Sequence, residues 1–152
     1  MKTIILYVSY HHMNTQKIAI AMAQAMGAEA LPLEKADVKT IDAYDLIGLG
    51  SGIYYGKFDK RMTDFIAGNN WEGKKTFVFS TSGFNSPKSN NATIRLLEDK
   101  GAKVLGSFHC RGYDTYPLFK LVGGLSKGYP DEEDIRDAEK FGVEILKLAS
   151  EL

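Results

Sequence analysis

The chain predicts an α/β fold: a doubly wound, five-stranded parallel sheet in the order 2-1-3-4-5, with helices on both faces. Three observations predict it. Apolar, strand-like runs alternate with stretches of helical period along the chain, the pattern of a parallel sheet with crossover helices. The first run, residues 2–8, is almost continuously apolar, as in a central strand covered on both faces. Crossovers are right-handed, and five strands in a chain of 152 residues then fall most simply into this order. The length suits one domain, residues 1–152.

The elements follow in turn. After the first strand, Asn14 is placed to cap a helix whose apolar face is Ile18, Ala21, Met22, Ala25 and Met26, closed by Gly27. Residues 30–33 make a short strand, assigned to a sheet edge because Pro32 lacks a ladder donor. Charged turns run on through Asp42. Residues 44–50 form the third strand and residues 51–58 a loop with three aromatics, Tyr54 and Tyr55 between glycines and Phe58 after them. Asp59 caps a helix with the stripe Met62, Phe65 and Ile66, ending near Gly68.

Residues 75–81 form the fourth strand, followed by a loop over 82–87. A helix carrying Ile94, Leu96 and Leu97 ends at Gly101. The fifth strand, residues 102–110, is interrupted by Gly106. Asp131, Glu132, Glu133 and Asp134 open the last helix, where the dipole favours carboxylates. Its stripe reads Ile135, Ala138, Phe141, Ile145, Leu148 and Ala149. The connection over 111–130 is longer than most.

Lys and Arg number 19, matched by 19 Asp and Glu, so no long-range field draws the molecule to nucleic acid or an anionic membrane. The single Cys110 can form no internal disulfide and has no thiolate partner for a metal, which indicates a reducing compartment. No apolar run reaches the roughly 20 residues that span a bilayer, and the first residues lack a signal-peptide core. A soluble, cytoplasmic protein is expected.

The stretch from Ser9 to Thr15 (Ser9, Tyr10, His11, His12, Met13, Asn14, Thr15) joins the first strand to the first helix. The leading N–H groups of a helix have no partner within it, and its dipole is positive there, so an anion is stabilised without a lysine. In the order 2-1-3-4-5 the chain reverses direction between strands one and three. The loops after strands one, three and four therefore converge at one end of the sheet, where a ligand binds.

Those loops carry a resemblance to a known family. An Asn-Thr pair (Asn14, Thr15) opens helix one. A glycine-aromatic loop follows strand three (Ser51, Gly52, Ile53, Tyr54, Tyr55, Gly56), and Thr81, Ser82, Gly83, Phe84 and Asn85 end strand four and its loop. In these features the chain resembles the flavodoxins and flavodoxin-like proteins. The resemblance implies bound FMN, its phosphate in the first loop and its ring flanked by the other two. It implies an electron carrier working between redox partner proteins, with no catalytic residues and no metal. A flavin-dependent oxidoreductase acting on a quinone or a porphyrinogen, and a flavin-free binding module, are the alternatives on the same fold. Where the family usually has Thr-Gly before Asn-Thr, this chain has His12-Met13. Without glycine, the loop must take another path or bear strain of roughly 1–3 kcal/mol.

Plainer readings stand beside these. His11 and His12 are adjacent, so their side chains diverge, and no acidic or cysteine cluster accompanies them as metal ligands. Tyr54, Tyr55 and Phe84 either face a ring system or pack in their own loops. Trp71 is read as a packing residue and Cys110 as a small core residue, whose place at the end of the fifth strand leaves a site role as the alternative. The aromatic and aliphatic segment 113–125 is a flap, a partner surface, or a stretch packed on the body.

Overall fold

The computed structural model describes residues 1–9, 13–84, 86–112 and 127–152. In chain order its elements are β1 (Thr3–Val8), α1 (Asn14–Met26), β2 (Glu29–Pro32), α2 (Val38–Ala43), β3 (Leu46–Tyr54), β4 (Lys57–Phe58) and α3 (Lys60–Ala67). They continue with β5 (Lys75–Ser82), α4 (Asn91–Asp99), β6 (Lys103–Arg111) and α5 (Glu132–Ser150). Short 3-10 turns lie at Leu33–Lys35 and Pro87–Asn90.

The parallel sheet runs β2-β1-β3-β5-β6, so the expected order holds, with β5 and β6 as the fourth and fifth strands of the reading above. The addition is β4, which pairs antiparallel with the end of β3, Ile53 opposite Phe58 and Tyr54 opposite Lys57. That pairing makes part of the 51–58 stretch a hairpin rather than a loop. β2 lies at an edge, as Pro32 suggested, and pairs only with β1.

Alternation along β1 sends its side chains to two cores. Ile4, Leu6 and Val8 join Ile47, Leu49 and Val78 beneath Met62, Ile66 and Leu97 of α3 and α4. Ile5 and Tyr7 join Leu46, Phe77 and Phe79 beneath Ile18 and Met22 of α1 and Ala138 and Ile145 of α5. Both faces are covered, which is why β1 reads as a solid apolar block. Trp71 is fully buried in the first core, its Nε1–H donating to the Ile66 carbonyl at 2.9 Å. The tip of the Phe79 ring occupies the space beside Gly50 of β3, so that a Cβ there would stand 2.1 Å from it.

Local signals decided most element ends. Gly27 closes α1 with φ 64°, the Asp59 carboxylate accepts from the Arg61 N–H at the start of α3, and Asp131 and Asp134 form a reciprocal capping box on α5. In β6 the pairing steps from Thr76–Val104 to Val78–Ser107, a bulge at the predicted interruption around Gly106.

Three readings are corrected. The charged turns after β2 include α2, capped by Asp37 and Thr40; with Ile41 as its one buried residue, it is too short to show a period. Ala25 is exposed although it was placed on the α1 stripe. Leu148 is also exposed, at 40 %, and Gly142 of α5 packs instead against Met26 of α1. Helix period fixes the centre of an apolar stripe, whereas its edges depend on the neighbouring helix.

Candidate functional site

The carboxyl ends of β1, β3 and β5 lie side by side, and β2 and β5 flank the β1–β3 pair on opposite sides. The loops after β1, β3 and β5 leave from these ends, around the point where the strand order changes direction.

The first loop leads into α1 through Met13, the N-cap residue, at φ 54° and ψ 36°. It makes no side-chain capping bond, and Asn14 is the first helical residue rather than the cap expected from its type. Capping falls to Ser9, whose Oγ accepts from the Gln16 N–H at 3.2 Å. Met13 takes the left-handed conformation that a glycine would adopt freely, at a cost of about 1–2 kcal/mol for an L-residue. The strain anticipated from the missing glycine is therefore located at this residue.

Thr15 is buried, and its Oγ1 lies 2.9 Å from Oγ1 of Thr81 at the end of β5. This bond ties the start of α1 to the third loop. The end of β6 closes in from the side: a Cβ on Gly112 would stand 2.6 Å from the Asn14 amide nitrogen. Tyr10, His11 and His12 lie outside the described residues.

In the second loop Ser51 is fully buried. Its hydroxyl donates to the Gly52 carbonyl at 2.6 Å and accepts the Asp59 N–H at 2.9 Å, joining the end of β3 to the start of α3. Tyr54 folds back across Gly52, where a Cβ would come within 2.9 Å of the tyrosine hydroxyl. Tyr55 and Gly56 link β3 to β4 with φ of 53° and 77°. Positive φ at both residues of a two-residue hairpin loop is the type I′ signature, ordinarily filled by Asn-Gly or Gly-Gly. A tyrosine in the first position is strained, and this one is also 85 % exposed.

The third loop follows β5. Thr81 and Gly83 are buried, the Ser82 hydroxyl donates to the Phe84 carbonyl, and the Phe84 side chain is 62 % exposed. Asn85 lies outside the described residues. Beneath this loop is a polar network that sequence reasoning missed. His109 of β6 places Nδ1 2.7 Å from Ser80 Oγ, and Ser80 Oγ donates to Asn90 Oδ1 at 2.5 Å. The other ring nitrogen, Nε2, accepts the Ser86 N–H at 3.0 Å and lies 3.1 Å from Ser82 Oγ and 3.2 Å from the Phe84 carbonyl. Burial holds the His109 pKa below the ordinary imidazole value, partly offset by the Phe84 carbonyl.

Cys110, the neighbour of His109, is buried as expected of a core residue. Burial pushes its thiol pKa up, reinforced by Asp134, Asp131 and Asp137. It remains a protonated thiol at neutral pH, so it does not act as a nucleophile. No group of His, Cys, Asp or Glu among the described residues is arranged to hold a metal ion. None of the described helices is long and apolar enough to cross a membrane. The segment 113–125 falls within residues outside the description.

An open parallel sheet in this order, with three loops gathered at its switch point, defines a flavodoxin-like protein. The chain belongs to the flavodoxin domain family, whose model matches residues 4–120. It is 46 % identical to an uncharacterized protein of Methanocaldococcus jannaschii, over 97 % of this chain and 99 % of that protein. Among solved structures it is similar to a flavodoxin from the domain Archaea, with a TM-score of 0.76, 17 % identity and 99 % of each chain covered. It is likewise similar to oxidised flavodoxin 2 of Bacillus cereus, with a TM-score of 0.74, 21 % identity, and 97 % and 99 % of the two chains covered.

Proposed function

We propose that the chain binds FMN at the loops after β1, β3 and β5 and carries electrons between redox partner proteins in the cytoplasm. The observation that carries this reading is the hydrogen bond between the buried Thr15, at the start of α1, and Thr81, at the end of β5, with the exposed aromatics Tyr55 and Phe84 in the turns after β3 and β5. Membership of the flavodoxin domain family supports the same reading.

The donor chemistry fits FMN. Its phosphate bears nearly two negative charges near neutrality, by analogy with other phosphomonoesters. Hydroxyls and backbone N–H groups at a helix start suit such a group. When Thr81 donates to Thr15, the Thr15 hydroxyl proton is left to donate to a phosphate oxygen. Ser9 and residues 10–15 are the phosphate seat. Residues 51–56 and 81–85 flank the ring system, with Tyr55 and Phe84 supplying exposed aromatic faces.

When bound, FMN supplies the electron-accepting and electron-donating chemistry. The chain's own residues bind the phosphate, orient the ring and limit its contact with water. The Ser51 hydroxyl fixes the β3 loop through two hydrogen bonds, and the His109 network supports the β5 loop from below. The buried Cys110 suits a reducing compartment.

Titration of FMN with the protein tests this: its fluorescence is expected to be quenched with one site per chain. A chain that leaves FMN fluorescence unchanged would be a flavin-free binding module. Loaded protein is expected to turn over NAD(P)H and a quinone slowly. Rapid turnover would instead assign a flavin-dependent oxidoreductase.

A further inference from the structure

We propose that His109 is the positioning residue of the loop after β5: its neutral ring holds the Ser86 N–H, and protonation releases it, so that flavin binding weakens as pH falls. The proposal deepens the flavin reading above and rests on it.

The proton inventory follows from the distances. Ser80 Oγ donates its proton to Asn90 Oδ1 at 2.5 Å, so it accepts from His109 and Nδ1 carries the ring's hydrogen. Asn90 is itself fixed by donating to the Phe108 carbonyl at 3.0 Å, and it is buried. The chain Phe108–Asn90–Ser80 therefore sets the tautomer, leaving the Nε2 lone pair for the Ser86 N–H at 3.0 Å.

The second acceptor near Nε2 makes the arrangement two-sided. The Phe84 carbonyl lies 3.2 Å from the same nitrogen. A bare Nε2 accepts from Ser86 and gains nothing from that carbonyl. A proton added to Nε2 turns it into a donor, which attracts the Phe84 carbonyl and Ser82 Oγ, whose own proton is given to that carbonyl, and can no longer accept from Ser86. One proton thus exchanges the two loop peptides as partners, on either side of Asn85, in the loop that bears the exposed Phe84 ring.

The ring's hydrogen-bond partners among the described residues are all uncharged. The charged side chains on the surrounding elements are Lys103 and Arg111 on β6, Lys75 on β5, Lys88 on the 3-10 turn, Arg95, Glu98 and Asp99 on α4, Lys57 on β4 and Asp59 before α3. All but the half-buried Lys75 and Asp59 are exposed; the Asp59 carboxylate is engaged with the Arg61 N–H, and Glu98 and Asp99 lie in the last turn of α4, at the far end of the helix from Asn90. None provides a counter-charge within the network. The sign follows: burial lowers the folded pKa, so below the ordinary imidazole value the unfolded chain and the opened loop take up the proton first. The closed loop loses stability as pH falls through that range.

The test follows the full-length chain by NMR and measures FMN affinity in wild type and His109→Gln, whose amide oxygen can accept from Ser86 without titrating. In wild type the Ser86 amide resonance is expected to shift with the same midpoint as the His109 ring. A Ser86 amide that stays in place while the ring titrates would overturn the proposal. Between about pH 7 and pH 5 the FMN dissociation constant should rise about fivefold more in wild type than in the variant, the equivalent of one hydrogen bond. Taking the difference cancels titration of the FMN phosphate, which is common to both proteins. Equal ratios would also overturn it. Failure of FMN to bind at any pH would remove the flavin reading, while the Ser86 titration would still decide whether His109 governs the loop.

Discussion

Tyr55 sits where the local geometry asks for another residue, so replacing it separates what the fold needs from what the site needs. Its φ of 53°, followed by 77° at Gly56, makes the loop a type I′ turn, for which Asn-Gly is the favoured pair. Tyr55→Asn relieves the left-handed penalty of about 1–2 kcal/mol. Tyr55 is 85 % exposed, so the burial lost is only about 0.3 kcal/mol of the roughly 2 that a buried aromatic contributes. The net gain is about 1 kcal/mol, a rise in Tm of about 2–4 °C for a chain of this size. The same change removes an aromatic face from the proposed ring site, at a cost of about 1 kcal/mol, or roughly fivefold weaker FMN binding. Thermal unfolding without flavin and FMN titration read the two effects separately. A lower Tm would refute the strain argument, and unchanged FMN affinity would refute the placement of Tyr55 against the ring.

Other predictions follow from single contacts. Gly50→Ala places a Cβ 2.1 Å from the fully buried Phe79 ring and should destabilise by about 1–3 kcal/mol in urea unfolding; wild-type stability would mean that Phe79 can move aside. Asp131→Ala removes the carboxylate that accepts the Asp134 N–H at 2.9 Å and should cost about 1 kcal/mol, read as a lower urea midpoint. Cys110 should resist a thiol reagent at neutral pH in the native protein and react once unfolded; rapid native labelling would contradict its burial.

How much was legible in the sequence varied with the range of the interaction. The caps at Asp59 and Asp131 and the stop at Gly27 could be read because each depends on a few adjacent residues. The strand order followed from alternation and crossover handedness. Asn14 was misplaced as a cap because the cap position depends on the backbone of Met13, and a left-handed methionine carries no compositional signal. β4 was hidden for the same reason, since its turn uses Tyr55-Gly56 in place of a familiar pair. The His109 network was beyond reach because it joins residues from β5, β6 and the intervening turn. The pairing of Ser80 with His109 also lies past the bulge around Gly106, so it cannot be counted from the strand starts. A histidine and a serine on neighbouring strands were the available signal, and the bulge concealed their register.

The central claim is that the start of α1, linked to β5 through Thr15 and Thr81, seats the phosphate of a flavin mononucleotide. Comparing FMN with riboflavin in wild type and Thr15→Ala tests it most directly, since the two ligands differ only in the phosphate. The variant should bind FMN about tenfold or more weakly, as expected for a lost hydrogen bond to a charged group, and should bind riboflavin as wild type does. Equal losses for the two ligands, or none for either, would contradict the claim.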